Sequence, residues 1–349
     1  MRTSGRPART RGQILVMTAV LMGVLLSAVA LVVHTGVLYV VRSRLDAAAD
    51  AAATAAAAAV VASDDAASFS ASAQSAAEKM FALNNPAGYW LTDAAMTSAS
   101  VDVAGDTVVA QVAAQAAAVL PLLRSDTLQV STHARAMRRP LDLVLVLDTS
   151  SGLSAMADAA RTAAMALTDR VSPVLDRVSL VHFADTATVD LAIKPDFSRG
   201  FSRPGLKTII AGLTFAGAPD YASALQAASD QLAQVPPANA SPVRAVVFIT
   251  GQAPATDSQR DQAQAQADAL GAAGVRIFAL GTGGSMQNPA WTDGTTPQAL
   301  LQCMAHSTDA PAACQSTQRP TGSYCQALTS DLIKPCIYRL AGDIAALSR

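Results

Sequence analysis

One apolar run followed by polar side chains constrains the fold of this chain more than any other feature. Residues 143–147 are five consecutive Val or Leu residues, and they lead directly into Asp148, Thr149 and Ser150. Such a run is typical of a central strand in a parallel sheet, buried on both faces. Because open α/β sheets bind ligands at the carboxyl ends of their strands, Asp148 and Ser150 are candidate binding residues.

Strands and helices alternate after this run. The patterns predict strands at 177–183, 188–193, 243–250 and 275–280, and helices at 153–171, 220–233 and 258–270. The alternation predicts an α/β fold with a doubly wound, mostly parallel sheet. The first two of these strands are separated by a short turn and predict an antiparallel hairpin at the sheet edge.

The N-terminal part of the chain predicts a membrane anchor. No Asp, Glu, Lys or Arg occurs from Gln13 to Val41, and residues 14–33 alone would form a helix of about 30 Å, the thickness of a bilayer core. Four arginines precede the span, against Arg42 and Arg44 after it. The positive-inside rule therefore predicts a basic cytoplasmic segment at 1–13 and a transmembrane anchor at 14–41 of the inner (cytoplasmic) membrane. The rest of the chain is then periplasmic.

Two cleavage alternatives stay open. Residues 27–30 (SAVA) have the small residues that signal peptidase prefers, although the apolar run continues well beyond them. Gly12-Gln13 fits a prepilin-type cut, although Met17 stands where such substrates usually have an acid. An uncleaved anchor is the interpretation we follow.

Residues 42–139 predict a helix and a small α+β region. The alanine-rich segment 42–62 continues the helix, as a rigid stalk or as a packing face for partner helices. A helix at 72–83, a hairpin of strands 100–103 and 107–112 around Ala104-Gly105-Asp106, and a strand at 127–136 follow. The basic residues Arg135, Arg138 and Arg139 then predict a solvated linker.

The C-terminal segment 286–349 contains all the cysteines. Cys303, Cys314, Cys325 and Cys336 are each 11 residues from the next, whereas zinc ligands usually pair roughly two to four residues apart. In an exported chain an even number of cysteines predicts disulfides, here two bridges in any of three connectivities. A last amphipathic helix at 339–347 predicts that this segment packs on the preceding domain.

Two known families resemble parts of the sequence. Residues 11–26 (RGQILVMTAVLMGVLL) and 34–58 (HTGVLYVVRSRLDAAADAAATAAAA) resemble the TadE/TadG-like proteins of tight-adherence (Flp) pilus assembly, with His34 where that family commonly has Asp. Five segments of the chain resemble, in order, the successive signatures of a von Willebrand factor A (VWA) domain. They are RPLDLVLVLDTSSGLSAM, DRVSLVHFADTATVDLAI, GAPDYASALQAASDQLA, VVFITGQAP and AGVRIFALGTG. The combination resembles a TadG-like protein with a VWA domain at 140–285.

The VWA resemblance implies a metal-ion-dependent adhesion site. That site uses an Asp-x-Ser-x-Ser loop, a Thr and a further Asp, since Mg²⁺ prefers about six oxygen ligands. Asp148 and Ser150 match, but Gly152, Pro219 and Gly251 occupy the other positions. Nearby oxygens that could substitute belong to Ser154, Asp220 and Asp257. We expect a remnant of the site and no cofactor, with Mg²⁺ binding as the alternative.

The sequence favours binding over catalysis. It has no Gly-x-Ser-x-Gly elbow and no Gly-x4-Gly-Lys phosphate loop. A net charge of −1 gives no reason to expect nucleic acid, and no site for a small-molecule substrate is evident. We therefore expect a non-enzymatic, membrane-anchored component of a pilus-assembly or secretion apparatus that binds other envelope proteins. The alternative is a metal-dependent adhesin that binds a ligand carboxylate through a divalent cation.

Overall fold

The computed structural model of the protein describes residues 10–59, 61, 66–86, 92–104, 107–118, 128–195, 199–235, 242–315 and 318–348. Most of the predicted N-terminal basic segment, and Gly105 and Asp106 of the predicted hairpin turn, lie outside these residues. The chain divides into two compact units. The first comprises Met1–Ala55, Gln74–Ser100 and Gln111–Arg135, and the second comprises Ala56–Ala73, Val101–Ala110 and Ala136–Arg349.

Helix α1 (Thr10–Ala59) is one continuous helix of 50 residues. Its large apolar side chains from Leu15 to Val33 are 52 to 76 % exposed, and this helix is long and apolar enough to cross a membrane. The prediction of a candidate N-terminal transmembrane helix is therefore confirmed. After the apolar part, one face is buried at Val41, Leu45, Ala48, Ala49, Ala52 and Ala53.

The remaining elements of this region are α2 (Ala66–Asn84), β1 (Thr92–Ala104), β2 (Thr107–Ala118) and β3 (Leu128–Arg138). The strands form a three-stranded sheet in the order β1-β2-β3. Alternate residues of β2, such as Val112, Ala114 and Ala116, are buried, and Thr132 of β3 donates a hydrogen bond to Asp46 of α1. The alanine face of α1 is thus covered within the chain, so the idea that it is a free packing face for partner helices is wrong.

The second unit is built on a six-stranded sheet with the strand order β6-β5-β4-β7-β8-β9. Its strands are β4 (Leu141–Asp148), β5 (Arg177–Phe183), β6 (Ala187–Leu191), β7 (Val243–Thr250), β8 (Arg276–Thr282) and β9 (Ser323–Ala327). All pairings are parallel except β5 with β6, which is antiparallel at the edge. This confirms the predicted doubly wound, mostly parallel sheet.

Helices cover both faces of this sheet. They are α3 (Ala157–Thr168), α4 (Arg203–Gly212), α5 (Tyr221–Ala233), α6 (Asp257–Ala272), α7 (Pro297–Met304) and α8 (Ser330–Leu347). Successive side chains of β4 point to opposite faces of the sheet and so belong to two hydrophobic cores. Leu143 and Leu145 pack with α3, α4 and α8, whereas Val144 and Val146 pack with α5, α6 and α7. Every residue of β4 is buried, as its unbroken apolar run predicts.

Several elements differ from the prediction. The helix expected at 153–171 begins as a 3₁₀ helix, Ser151–Met156, and continues as α3. Helix α8 starts well before 339 despite Pro335 in its interior, since its buried face and a disulfide at Cys336 hold it. The predicted last strand at 275–280 is followed by β9, whose five residues are too few to show a clear pattern.

Of the three linker arginines, Arg135 and Arg139 are exposed, as the prediction of a solvated linker expects, but Arg138 is buried. Arg138 is 7 % exposed, and its guanidinium donates to both oxygens of the Asp176 carboxylate at 3.0 and 2.6 Å. Arg139 donates to the carbonyls of Leu347 and Ser348 at the end of α8. The prediction is wrong for Arg138, because that side chain pairs with a buried carboxylate that lies 38 residues away in sequence.

The four cysteines form two disulfides, as predicted. One joins Cys303 to Cys314 and the other joins Cys325 to Cys336. The second ties β9 to α8, so it links the last strand of the sheet to the helix that covers it. Of the three connectivities that the sequence leaves open, the structure forms the sequential one.

Candidate functional site

Asp148 lies at the carboxyl end of β4 and is completely buried. Its Oδ1 accepts the backbone N–H of Ser150 at 2.7 Å. Its Oδ2 accepts the hydroxyl of Thr250 at 2.7 Å and the backbone N–H of Gly251 at 3.1 Å. Both carboxylate oxygens are therefore bonded by neutral donors of the chain itself, which stabilise the buried charge.

Thr250 connects this carboxylate to Tyr221, the first residue of α5. The Tyr221 hydroxyl lies 2.8 Å from Thr250 Oγ1 and donates to the Gln252 carbonyl at 2.6 Å. Complete burial, reinforced by the negative charge of Asp148, raises the pKa of Tyr221 well above its ordinary value. Tyr221 thus remains a neutral hydroxyl that holds the loop after β7 against the sheet.

The loop before α5 closes over the end of β4. Thr149 accepts the N–H of Ala216 at 2.7 Å, and the Gly217 carbonyl accepts both the N–H and the hydroxyl of Ser151. Gly217 has a φ of +87°, a conformation that glycine adopts without strain. These bonds hold the loop before α5 against the loop after β4.

The three remaining ligand positions of the expected metal site carry no side-chain oxygen. Gly152 is covered by Gln252, whose Cβ would lie 2.4 Å from a Cβ at position 152. At Gly251 an added Cβ would lie 2.8 Å from Leu153 Cδ1 and 2.9 Å from Thr282 Oγ1. Pro219 is buried and has no side-chain donor or acceptor. The residues present therefore do not fit the roughly six-oxygen shell that Mg²⁺ prefers.

The oxygens that could substitute are engaged elsewhere. Ser154 donates to the Ser151 carbonyl at 2.6 Å, and Asp220 caps α5 by accepting the Ser223 N–H at 3.2 Å. Asp257 accepts from the backbone and the hydroxyl of Thr292. Within the part of the chain that the structure describes, no three His, Cys, Asp or Glu residues could together hold a metal ion. That Asp148 and Ser150 are remnants of a metal site stays a prediction.

Ser150 is the one feature of this edge that still resembles an open site. Its hydroxyl is buried beside Asp148 and has no hydrogen-bond partner among the described residues. Burying an unpaired hydroxyl costs about 1–3 kcal/mol. Such a group commonly marks a ligand position or a site retained from one.

Sequence reasoning placed Asp148 and Ser150 correctly at the sheet edge but missed their partners. Thr250, Tyr221 and Gln252 complete the network, and each is more than 70 residues from Asp148 along the chain. A usable signal was present, since Thr250 ends a buried strand that is parallel to β4. It also missed the contact of His182 Nδ1 with Asp190 at 2.6 Å on the edge hairpin.

Two family models match the chain. The model for the von Willebrand factor type A domain matches residues 142–316, half of the 349-residue chain. The model for putative Flp pilus-assembly TadE/G-like proteins matches residues 12–59. No curated protein matches the chain.

Solved structures resemble the fold at low identity. The proximal thread matrix protein 1 from the mussel byssus is 19 % identical, with 60 % of this chain and 46 % of that chain covered and a TM-score of 0.42. A von Willebrand factor type A protein from Catenulispora acidiphila is 12 % identical (75 % and 51 % covered, TM-score 0.44). BatB from Bacteroides thetaiotaomicron is 17 % identical (59 % and 99 % covered, TM-score 0.41). The chain spans about half of the first two proteins, and the family matches alone carry the assignment.

Proposed function

The chain belongs to the von Willebrand factor type A domain family, and a TadE/G-like pilus-assembly region precedes that domain. We propose that it is a membrane-anchored, protein-binding component of a pilus-assembly or secretion apparatus. The observation that carries this proposal is the presence of both matches on one chain, at 12–59 and at 142–316. Its role is to bind other envelope proteins, and it catalyses no reaction.

The geometry of Asp148 supports binding without a metal. Three of the roughly four acceptor positions of the Asp148 carboxylate are already used by Ser150, Thr250 and Gly251, so the chain itself stabilises this group without a cation. Three of the five family ligand positions also lack a side-chain oxygen. A partner is then bound by the surface of the loops and not through a shared cation.

A metal-dependent adhesin is the second candidate. The buried, unpartnered hydroxyl of Ser150 favours it, since that atom stands where the family has a ligand. In that function a divalent cation would be held by Asp148 and Ser150 and would supply the contact to a ligand carboxylate. The two candidates differ in whether chelation of divalent ions abolishes binding.

The orientation we propose places the N-terminus in the cytoplasm, the apolar part of α1 in the membrane and the chain after Val41 in the periplasm. Four arginines before the apolar helix, against two directly after it, support this topology. The disulfides Cys303–Cys314 and Cys325–Cys336 support it too, because such bonds persist in exported proteins. A phosphatase reporter fused to the C-terminus of the full chain is expected to be active; an inactive reporter would contradict this orientation.

Site-specific photocrosslinking in the native host tests the binding mode. A photoreactive residue replaces exposed Ser151 at the sheet edge, and a control replaces exposed Gln226 on α5. We expect a pilus-assembly or envelope protein to crosslink at position 151, with equal yield in EDTA and in a Ser150→Ala background. Loss of that crosslink in EDTA would instead establish the metal-dependent adhesin, and equal crosslinking at 226 would show that the edge is not the binding surface.

A further inference from the structure

The first compact unit contains a cavity that none of the functions above uses. It is partly open to its surroundings and has a volume of about 330 Å³, at the lower end of the range for ligand-binding clefts. Its wall on α1 is formed by Val33, Gly36, Val37, Val40, Val41, Arg44 and Leu45, and it is closed by Asn85, Ala94 and Ala116. These residues come from α1, β1 and β2, and Asn85 directly follows α2.

The cavity begins where the exposed apolar part of α1 ends. Large side chains up to Val33 are more than half exposed, whereas Val41 and Leu45 are 7 % and 1 % exposed. The wall that α1 contributes therefore continues from the exposed apolar part of the helix, which faces the bilayer in the topology proposed above. Gly36 widens it there, because a Cβ at that position would meet no atom within 4 Å.

The lining is mostly apolar and contains one cationic side chain. Valine, leucine, alanine and glycine supply most of it, and Arg44 is the one charged residue among the described residues that line it. Arg44 lies eight residues beyond Gly36, which corresponds to about 12 Å along a helix. Apolar walls together with one guanidinium match the chemistry of an acyl chain that is linked to a phosphate.

We propose that this cavity binds one acyl chain of an anionic phospholipid, with Arg44 next to the headgroup phosphate. The proposal rests on the membrane-anchored topology proposed above. In that topology the neighbouring bilayer offers an acyl chain to these apolar walls, and contact between the two removes apolar surface from water. The bound lipid would join α1 to the strands that close the cavity, at the membrane surface.

Native mass spectrometry of the full-length protein tests the proposal. Delipidated protein in detergent is titrated with phosphatidylglycerol, and the number of retained lipids is counted. We expect one retained lipid for the unmodified protein and about tenfold weaker retention for Gly36→Leu, because each methylene excluded from an apolar site costs about fourfold in affinity. The matched control is Gly23→Leu, where a Cβ also meets no atom within 4 Å but which is outside the cavity.

The headgroup contact has its own pair of variants. Arg44→Gln is expected to weaken phosphatidylglycerol several-fold and to leave phosphatidylcholine unchanged, whereas Arg42→Gln, at an exposed residue outside the lining, changes neither. If Gly36→Leu and Gly23→Leu retain phosphatidylglycerol equally, the lipid proposal is overturned. The cavity would then be a binding site for a side chain of another protein. Carbonate extraction of both glycine variants is the separate check on the anchor, so a failed lipid site is distinguished from a failed topology.

Discussion

The two ends of the six-stranded sheet hold buried carboxylates in opposite ways. At the amino end, Asp176 pairs with Arg138, and Asp142 lies within 3.3 Å of Arg177 and 2.5 Å of Arg199. At the carboxyl end, Asp148 accepts only neutral donors among the described residues. The chain thus supplies its own cations at one end and none at the end where its family places a metal.

At the amino end, three arginine guanidinium groups lie close to the two buried carboxylates. Burial, helped by the neighbouring charge of Arg177 and opposed by Asp142, lowers the pKa of Arg199 from its ordinary value. Breaking a buried ion pair leaves an uncompensated charge, whereas neutral hydrogen bonds leave only unsatisfied donors. The comparison therefore predicts larger stability losses at the amino end than at Asp148.

The largest effect is expected from Asp176→Ala. It leaves Arg138 buried without its carboxylate and removes the acceptor for the N–H groups of Leu141 and Ser172. We predict a loss of about 3–5 kcal/mol in the free energy of unfolding, measured by urea denaturation of the full chain in detergent with tryptophan fluorescence. Asp158→Ala, which breaks the exposed pair with Arg161, is the control and should change little. Equal losses in the two variants would refute the structural role of the buried pair.

Asp148→Ala should have the next largest effect. The N–H groups of Ser150 and Gly251 and the hydroxyl of Thr250 lose their acceptor. We predict a loss of about 2–3 kcal/mol in the same assay, smaller than for Asp176→Ala because no buried cation is left unpaired. A loss larger than that of Asp176→Ala would reverse the comparison.

Introducing the aspartate that the family has at position 251 tests whether the carboxyl end of the sheet still has room for that side chain. In Gly251→Asp the new Cβ meets Leu153 and Thr282, and the new charge adjoins that of Asp148. We predict a loss of about 1–3 kcal/mol without added metal. Gly251→Ala keeps the steric change without the charge, so the difference between the two variants isolates the repulsion. A fully stable Gly251→Asp protein would show that the loop relaxes more easily than this packing implies.

The smallest effect is expected at Tyr221, in the way that the free energy of unfolding depends on alkaline pH. The pKa of Tyr221 is raised by burial in the folded protein, so the folded state keeps its proton when the unfolded chain loses it. The contribution of Tyr221 to the free energy of unfolding is fully present below its pKa in the unfolded chain, about 10, and decreases as the pH rises above that value. Tyr221→Phe should cost about 1 kcal/mol at neutral pH and flatten this alkaline decline. An unchanged alkaline slope in thermal melts would contradict the raised pKa.

The comparison also shows what sequence alone could predict. The run at 143–147 was sufficient to place β4 at the centre of the sheet and Asp148 at its carboxyl edge, because strand burial follows from a local pattern. The partners of these carboxylates, such as Arg138 for Asp176 and Thr250 for Asp148, depend on tertiary contacts that no local pattern encodes. Helix α7 was missed although Thr296 and Pro297 carry a helix-start signal, because its eight residues are too few for a clear period.

The central claim, that this domain holds no divalent cation, is tested most directly by its melting temperature. The full chain in detergent is melted in EDTA and in Mg²⁺ or Mn²⁺, beside Asp148→Ala under the same conditions. A bound cation whose free concentration is about 100 times its Kd would raise the free energy of unfolding by about 2.7 kcal/mol. We predict the same melting temperature in EDTA and in either metal. A metal-dependent rise that Asp148→Ala abolishes would contradict the account and establish the adhesin function.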